Sequence, residues 1–164
     1  MDFEQKEKEK MNMRAKFSEE LKIALKNKDK IAASTIRLIL AALKDRDITV
    51  REKGKSDGVD EGSILLMLQS MIKQRQESSK IYNEAGRDDL AEREEAEIDV
   101  IRGFLPKQLS DSEVGEVIDG LIAKLEASSI KDMGKVMNVL KGEYAGQIDM
   151  GKAGSIANNK LSNV

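Results

Sequence analysis

A single proline, Pro106, interrupts 164 residues. Everywhere else the chain is free of the residue that most strongly stops a helix. Its apolar and charged positions are filled mainly by Leu, Ile, Met, Ala, Lys and Glu, which lose little rotamer freedom in an α-helix. Aromatic residues make up only 3%, a poor supply for the strands of a sandwich or barrel. The expected fold class is all-α. An N-terminal helical hairpin domain of about four helices is expected over residues 1–105, and a small three-helix domain over residues 106–164.

Periodicity and caps predict helices over 12–27, 30–51, 60–84, 90–104, 111–127, 132–141 and 149–161. Met13, Phe17, Leu21 and Leu25 form the apolar stripe of the first. Asp29 is a natural N-cap for the second. Its middle, Ile36 to Leu43, is apolar on nearly every face and is expected to be wrapped by other helices. On the third, the stripe Ile64, Leu68, Met71, Ile72 fades into Arg75, Ser79 and Tyr82, which predicts a half-buried helix with an exposed far end. Asp88 or Asp89 is expected to cap the fourth, with Glu92 at capping-box spacing from Asp89. That helix carries Glu92, Glu94, Glu95, Glu97 and Asp99, expected to be a solvated face. Pro106 is expected to end it and to push Leu105 into an extended conformation. Ser110 and Glu113 then read as a capping box for the fifth.

With neither His nor Cys, the chain lacks the commonest general base and metal ligand, and it can make no disulfide or thiolate site. Gly54-Lys55-Ser56 imitates the end of a phosphate-binding loop. However, Thr49 stands where the first glycine is required, and a helix rather than a strand leads in, so a polar turn is expected. Ser128 and Lys131 match a serine–lysine hydrolase spacing without its companion motifs. No cofactor or metal site is expected. The formal net charge of −2 gives no general attraction to nucleic acid. No apolar run of 18 residues predicts a membrane span, and the charge alternation of residues 2–10 does not read as a signal peptide, so the cytoplasm is the expected location.

From Lys131 onward the balance turns mildly basic, five lysines against three acids. Here Asp132-Met133-Gly134-Lys135 recurs as Asp149-Met150-Gly151-Lys152. Asp reads as an N-cap in each copy, followed by an anchoring Met. Glycine in a first turn costs about 0.5–1 kcal/mol against Ala, and Lys there opposes the helix dipole. Two readings stand: a phosphate contact through free N–H groups and a lysine, or close helix packing with a solvated lysine. On the first, the candidate nucleic-acid-binding residues are Lys131, Gly134, Lys135, Lys141, Gly151, Lys152, Asn158 and Lys160. No catalytic residue is proposed.

The segments Lys30-Ile31-Ala32-Ala33-Ser34-Thr35-Ile36-Arg37-Leu38-Ile39, Ile72-Lys73-Gln74-Arg75-Gln76-Glu77-Ser78, Leu105-Pro106-Lys107-Gln108-Leu109-Ser110 and Asp132-Met133-Gly134-Lys135-Val136-Met137 together resemble the GatB/YqeY family. The match is to its small stand-alone YqeY-like members. The resemblance extends from about Phe17 to Val164, with residues 1–11 outside it. It implies a C-terminal domain similar to the tail of the B subunit of glutamine-dependent aminoacyl-tRNA amidotransferase, a part that grips tRNA while chemistry belongs elsewhere. The family link is to carbon–nitrogen ligases with glutamine as amido-N-donor, and nothing in this chain looks like their catalytic cradle. The leading expectation is a tRNA- or RNA-binding accessory module. The alternatives are an adaptor docking a protein such as an amidotransferase subunit, or a contributor to a glutamine-dependent ligase activity.

Overall fold

The computed structural model describes residues 12–163, all of whose regular structure is helical. The charged stretch of residues 1–11 lies outside the described residues. The chain divides into two compact units, one ending at Phe104 and the other beginning at Leu105.

Four helices build the first unit: α1 Met13–Lys26, α2 Lys30–Glu52, α3 Glu61–Glu84 and α4 Asp88–Arg102. The first three are capped by local side chains. Asn12, Asp29 and Asp60 accept from the backbone N–H groups of Ala15, Ala32 and Ser63, each satisfying an otherwise orphaned donor. The fourth differs from expectation. Its N-cap is Arg87, with no side-chain capping bond. Asp89 is drawn to the Arg87 guanidinium at 3.2 Å instead of capping with Glu92. The helix also stops at Arg102, three residues before the segment that Pro106 restricts, with Gly103 as C-cap.

α1 packs on α2, α3 packs on α4, and α2 also meets α4. Phe17, Ile36, Ile39, Ile64, Met67, Leu68, Ile98 and Ile101 are the buried centre. The rings of Phe17 and Phe104 meet edge to face with centroids 4.9 Å apart. Two expected stripes shift. Ala24 rather than Leu25 faces inward on α1, and Leu25 is exposed. α2 is not wrapped: Arg37, Leu38 and Ala41 are open to solvent.

The α2–α3 connection is held by an ion pair between the half-buried Arg14 and the buried Asp47. Arg14 Nη1 and Nη2 donate to the two oxygens of Asp47 at 2.6 and 2.8 Å, and Nη2 also reaches the Val59 carbonyl at 2.9 Å. Asp47 accepts a further bond from the Val59 N–H at 2.9 Å. The Arg14 bonds, followed by that N–H, lower the Asp47 carboxyl from 3.8 to about 2 against the opposing effect of burial. Gly58 passes directly over this carboxylate with φ +82°, and a Cβ there would stand 2.9 Å from the Asp47 Cγ.

The second unit holds α5 Asp111–Lys124, a 3₁₀ turn Ile130–Asp132, α6 Met133–Glu143 and α7 Met150–Ser162. Ser110 and Glu113 form the expected capping box. α5 ends earlier than expected, where Glu126 turns left-handed at φ 52°. Val114, Ile118, Val136, Leu140, Ile148, Ala153, Ala157 and Leu161 are buried together. The segment after Pro106 is tied to the α6–α7 connection, with Leu109 N–H donating to the Gln147 carbonyl at 2.9 Å.

Two outcomes test the clamp. Gly58→Ala should cost about 1–3 kcal/mol, because left-handed strain is added to a Cβ that displaces a carboxylate held by three donors. Gly54→Ala, with φ +97° but open space around it, should cost only the strain. Equal losses in urea titration would sink this account. Because the folded pKa of Asp47 is depressed, its contribution is present above the unfolded value of 3.8 and is lost as pH falls through the folded value of about 2. At about 1.4 kcal/mol per unit this amounts to roughly 2 kcal/mol. The stability difference between the native chain and Asp47→Asn should therefore narrow across that window. A gap independent of pH would contradict the assignment.

Candidate nucleic-acid interface

The two Asp-Met-Gly-Lys copies share a sequence but not a conformation. Asp149 is a true N-cap, extended at ψ 113°, with Oδ1 accepting from the Gly151 and Lys152 N–H groups at 2.8 and 3.1 Å. Asp132 is already helical and caps nothing in α6. It closes the preceding 3₁₀ turn instead: Oδ2 accepts from the Ser128 and Ser129 N–H groups at 2.9 and 3.3 Å. These two donors hold the Asp132 carboxyl below its usual range. The expected N-cap role of Asp132 is therefore corrected. Ser129, which supplies a second capping residue just upstream, took the position.

The glycines also separate. A Cβ at Gly151 would stand 3.2 Å from the Asp149 capping oxygen, so the cap itself accounts for a glycine there. At Gly134 nothing lies within 4 Å. The N–H groups offered to a phosphate in the second copy are thus already occupied. The methionines are only half-buried, and the Met133 and Met137 methyls lie 3.9 Å from where a Cβ of Gly154 would stand.

The lysines fall into three groups. Lys152 and Lys160 line the seam between α7 and α5, with ammoniums 4.0 Å from Asp111 and 2.9 Å from Asp119. Both pairs are spaced eight residues on each helix, so α5 and α7 run parallel. The Lys160 stem lies over Gly115, 3.7 Å from where a Cβ would stand, a distance of ordinary contact. Lys135 leans on Asp132 at 3.7 Å. Lys131 and Lys141 are exposed, and neither ammonium has an ion-pair partner among the described residues. Asn158 is exposed; its carbonyl accepts from the Ser162 hydroxyl at 2.7 Å. Exposed pairs of this kind contribute about 0–1 kcal/mol, so a polyanion can displace the carboxylates. Of the five lysines, three thus lie beside a carboxylate, Asp132, Asp111 or Asp119, and two, Lys131 and Lys141, stand without one among the described residues.

In the first unit the acidic face of α4 is not uniformly solvated. Glu97 is buried and accepts from Arg75 Nε at 3.0 Å and Arg93 Nε at 3.4 Å. Arg93 also reaches the Ser34 hydroxyl at 3.3 Å. Glu94 beside it is half-buried, and burial, then the Glu97 charge, push its carboxyl upward. The fading stripe of α3 has its explanation here: Arg75 is turned to Glu97 of α4 and Ser79 is buried, while Ile81 is exposed. Only the four-residue spacing of Arg93 and Glu97 announced this cluster in the sequence. Among the described residues no group of three carboxylates is placed to hold a metal ion, and no helix is long and apolar enough to cross a membrane.

Comparison with known proteins places these features in a family. The family model described as Yqey-like protein matches residues 14–161. The chain is similar to proteins named "Altered inheritance of mitochondria protein 41, mitochondrial". It is 30% identical over 117 residues to that of Lachancea thermotolerans, covering 70% of this chain and 60% of the relative. Identity is 31% over 128 residues to that of Pyrenophora tritici-repentis, covering 75% and 68%, and 33% over 130 residues to that of Saccharomyces cerevisiae, covering 79% and 66%. The chain thus spans roughly two thirds of the length of these relatives. With its helical architecture and a match running from α1 to the last turn of α7, the chain belongs to the YqeY-like family.

Proposed function

We propose that the C-terminal unit is an RNA-contacting module, with tRNA the favoured class, and that the protein acts by binding rather than by its own side-chain catalysis. The observation that carries this reading is the disposition of charge after residue 130. Lys131 and Lys141 stand at the surface with no ion-pair partner among the described residues, Lys135 and Lys152 are held only in exposed pairs, and the acids Asp132 and Asp149 accept from backbone N–H groups. The similarity to an amidotransferase tail supports the same reading. The contact is electrostatic and runs through Lys131, Lys135, Lys141 and Lys152, with Lys160, Asn158, Gly134 and Gly151 at its margins. The glycine N–H groups contribute less than the sequence suggests, since Asp149 occupies those of the second copy. Any connection to glutamine-dependent carbon–nitrogen ligation then runs through a partner that supplies the chemistry. The cytoplasm remains the proposed site of action; the word "mitochondrial" belongs to the names of the relatives.

Fluorescence anisotropy with total tRNA at two salt concentrations tests this. Binding should weaken with salt. Lys131→Ala or Lys141→Ala should each lower the slope of log affinity against log salt by about one. Lys160→Ala should have a smaller effect, because its ammonium is held by Asp119. Absence of binding at low salt would overturn the proposal.

A further inference from the structure

α2 carries two seams. The inward one is Ala33, Ile36, Ile39 and Leu43, buried in the core. The outer one has a coiled-coil register: Ile31, Leu38 and Asp45 recur every seventh residue, with Ala41 and Ile48 at the alternate core positions and the half-buried Ser34, which accepts from Arg93 of α4, at the edge of the seam. Ile31, Leu38 and Ile48 are 38, 46 and 44% exposed. Immediately before each residue of the first set stands a base, Lys30, Arg37 and Lys44, followed by Arg51 one heptad on. All four are exposed, and none is in an ion pair among the described residues. The other exposed apolar residues of this unit form no such line: Ile23 and Leu25 are two apart and point to different sides of α1.

We propose that the outer face of α2 docks an α-helix of another protein, one with its own apolar heptad seam flanked by acidic residues at heptad spacing. The four bases occupy the flanking position that selects coiled-coil partners by charge. Self-pairing is disfavoured. Antiparallel copies would set base against base, and parallel copies would set the bases against Ala42 and Thr49, which carry no charge, or over the buried Thr35. A nucleic-acid backbone matches the bases but leaves Ile31 and Leu38 wet, so the apolar column favours a protein helix. Asp45, at a core position of the seam, requires a basic residue opposite and so sets the register. This surface shares no residue with the RNA contact proposed above, and either can fail alone.

The probe is a fluorescein-labelled synthetic helix of three heptads, with Leu at the core positions, one central core Arg, and Glu at both flanking positions. A twin peptide carries Lys in place of Glu. The full chain should bind the acidic peptide and not its twin. Leu38→Ser should weaken binding about tenfold or more. Arg37→Glu combined with Lys44→Glu should abolish it and confer binding of the lysine twin. That gain cannot come from misfolding, and unchanged thermal melts would confirm that both variants fold. The proposal is overturned if the intact chain ignores the acidic peptide, if either variant binds it as well as the parent does, or if the charge-reversed variant loses tRNA instead.

Discussion

A single buried carboxylate, Asp47, ties three segments of the N-terminal unit together: the start of α1 through Arg14, the end of α2 on which it stands, and the entry to α3 through the Val59 N–H. Burying one charge is costly, and here each acceptor oxygen is matched by a fork of the guanidinium or a backbone donor. The constraint propagates. Position 58 favours glycine because its backbone, at positive φ, passes over the carboxylate. Also at this end of the unit, Glu61 in the first turn of α3 accepts from the Met13 N–H at 3.0 Å, so α1 and α3 begin on a common anchor.

A second charged centre serves the middle of the same unit. Arg75 of α3 and Arg93 of α4 share the Glu97 carboxylate, and Arg93 extends to Ser34 of α2. Apolar packing of Ile, Leu and Met fills space without choosing among similar helix registers. Two buried, fully hydrogen-bonded carboxylates restrict that choice, because sliding any of these helices by one residue strands a charge. The C-terminal unit uses a lighter version of the same device, an exposed pair of lysine–carboxylate contacts between parallel α5 and α7.

The two units present different surfaces. In the C-terminal unit, capping uses up hydrogen-bonding capacity that the sequence offers to a phosphate, and leaves lysine side chains as the available cations. In the N-terminal unit, α2 satisfies the core with one seam and turns a second, basic-edged one outward. Neither surface uses a residue of the other.

The sequence by itself determined the number and approximate bounds of the helices and the capping residues Asp29, Ser110 and Asp149. These are governed by nearest-neighbour chemistry, where spacing alone places donor and acceptor together. Periodicity could not tell which of two apolar faces of α2 would be covered, because Ile36 and Leu38 are equally hydrophobic and only packing against α1 and α4 separates them. Nor could it assign Asp132, for which Ser129 competes within one turn, or Glu97, whose nearest partner, Arg75, comes from another helix. Those outcomes were decided by tertiary structure, because burial and long-range pairing depend on which segments the folded chain brings to within hydrogen-bonding distance.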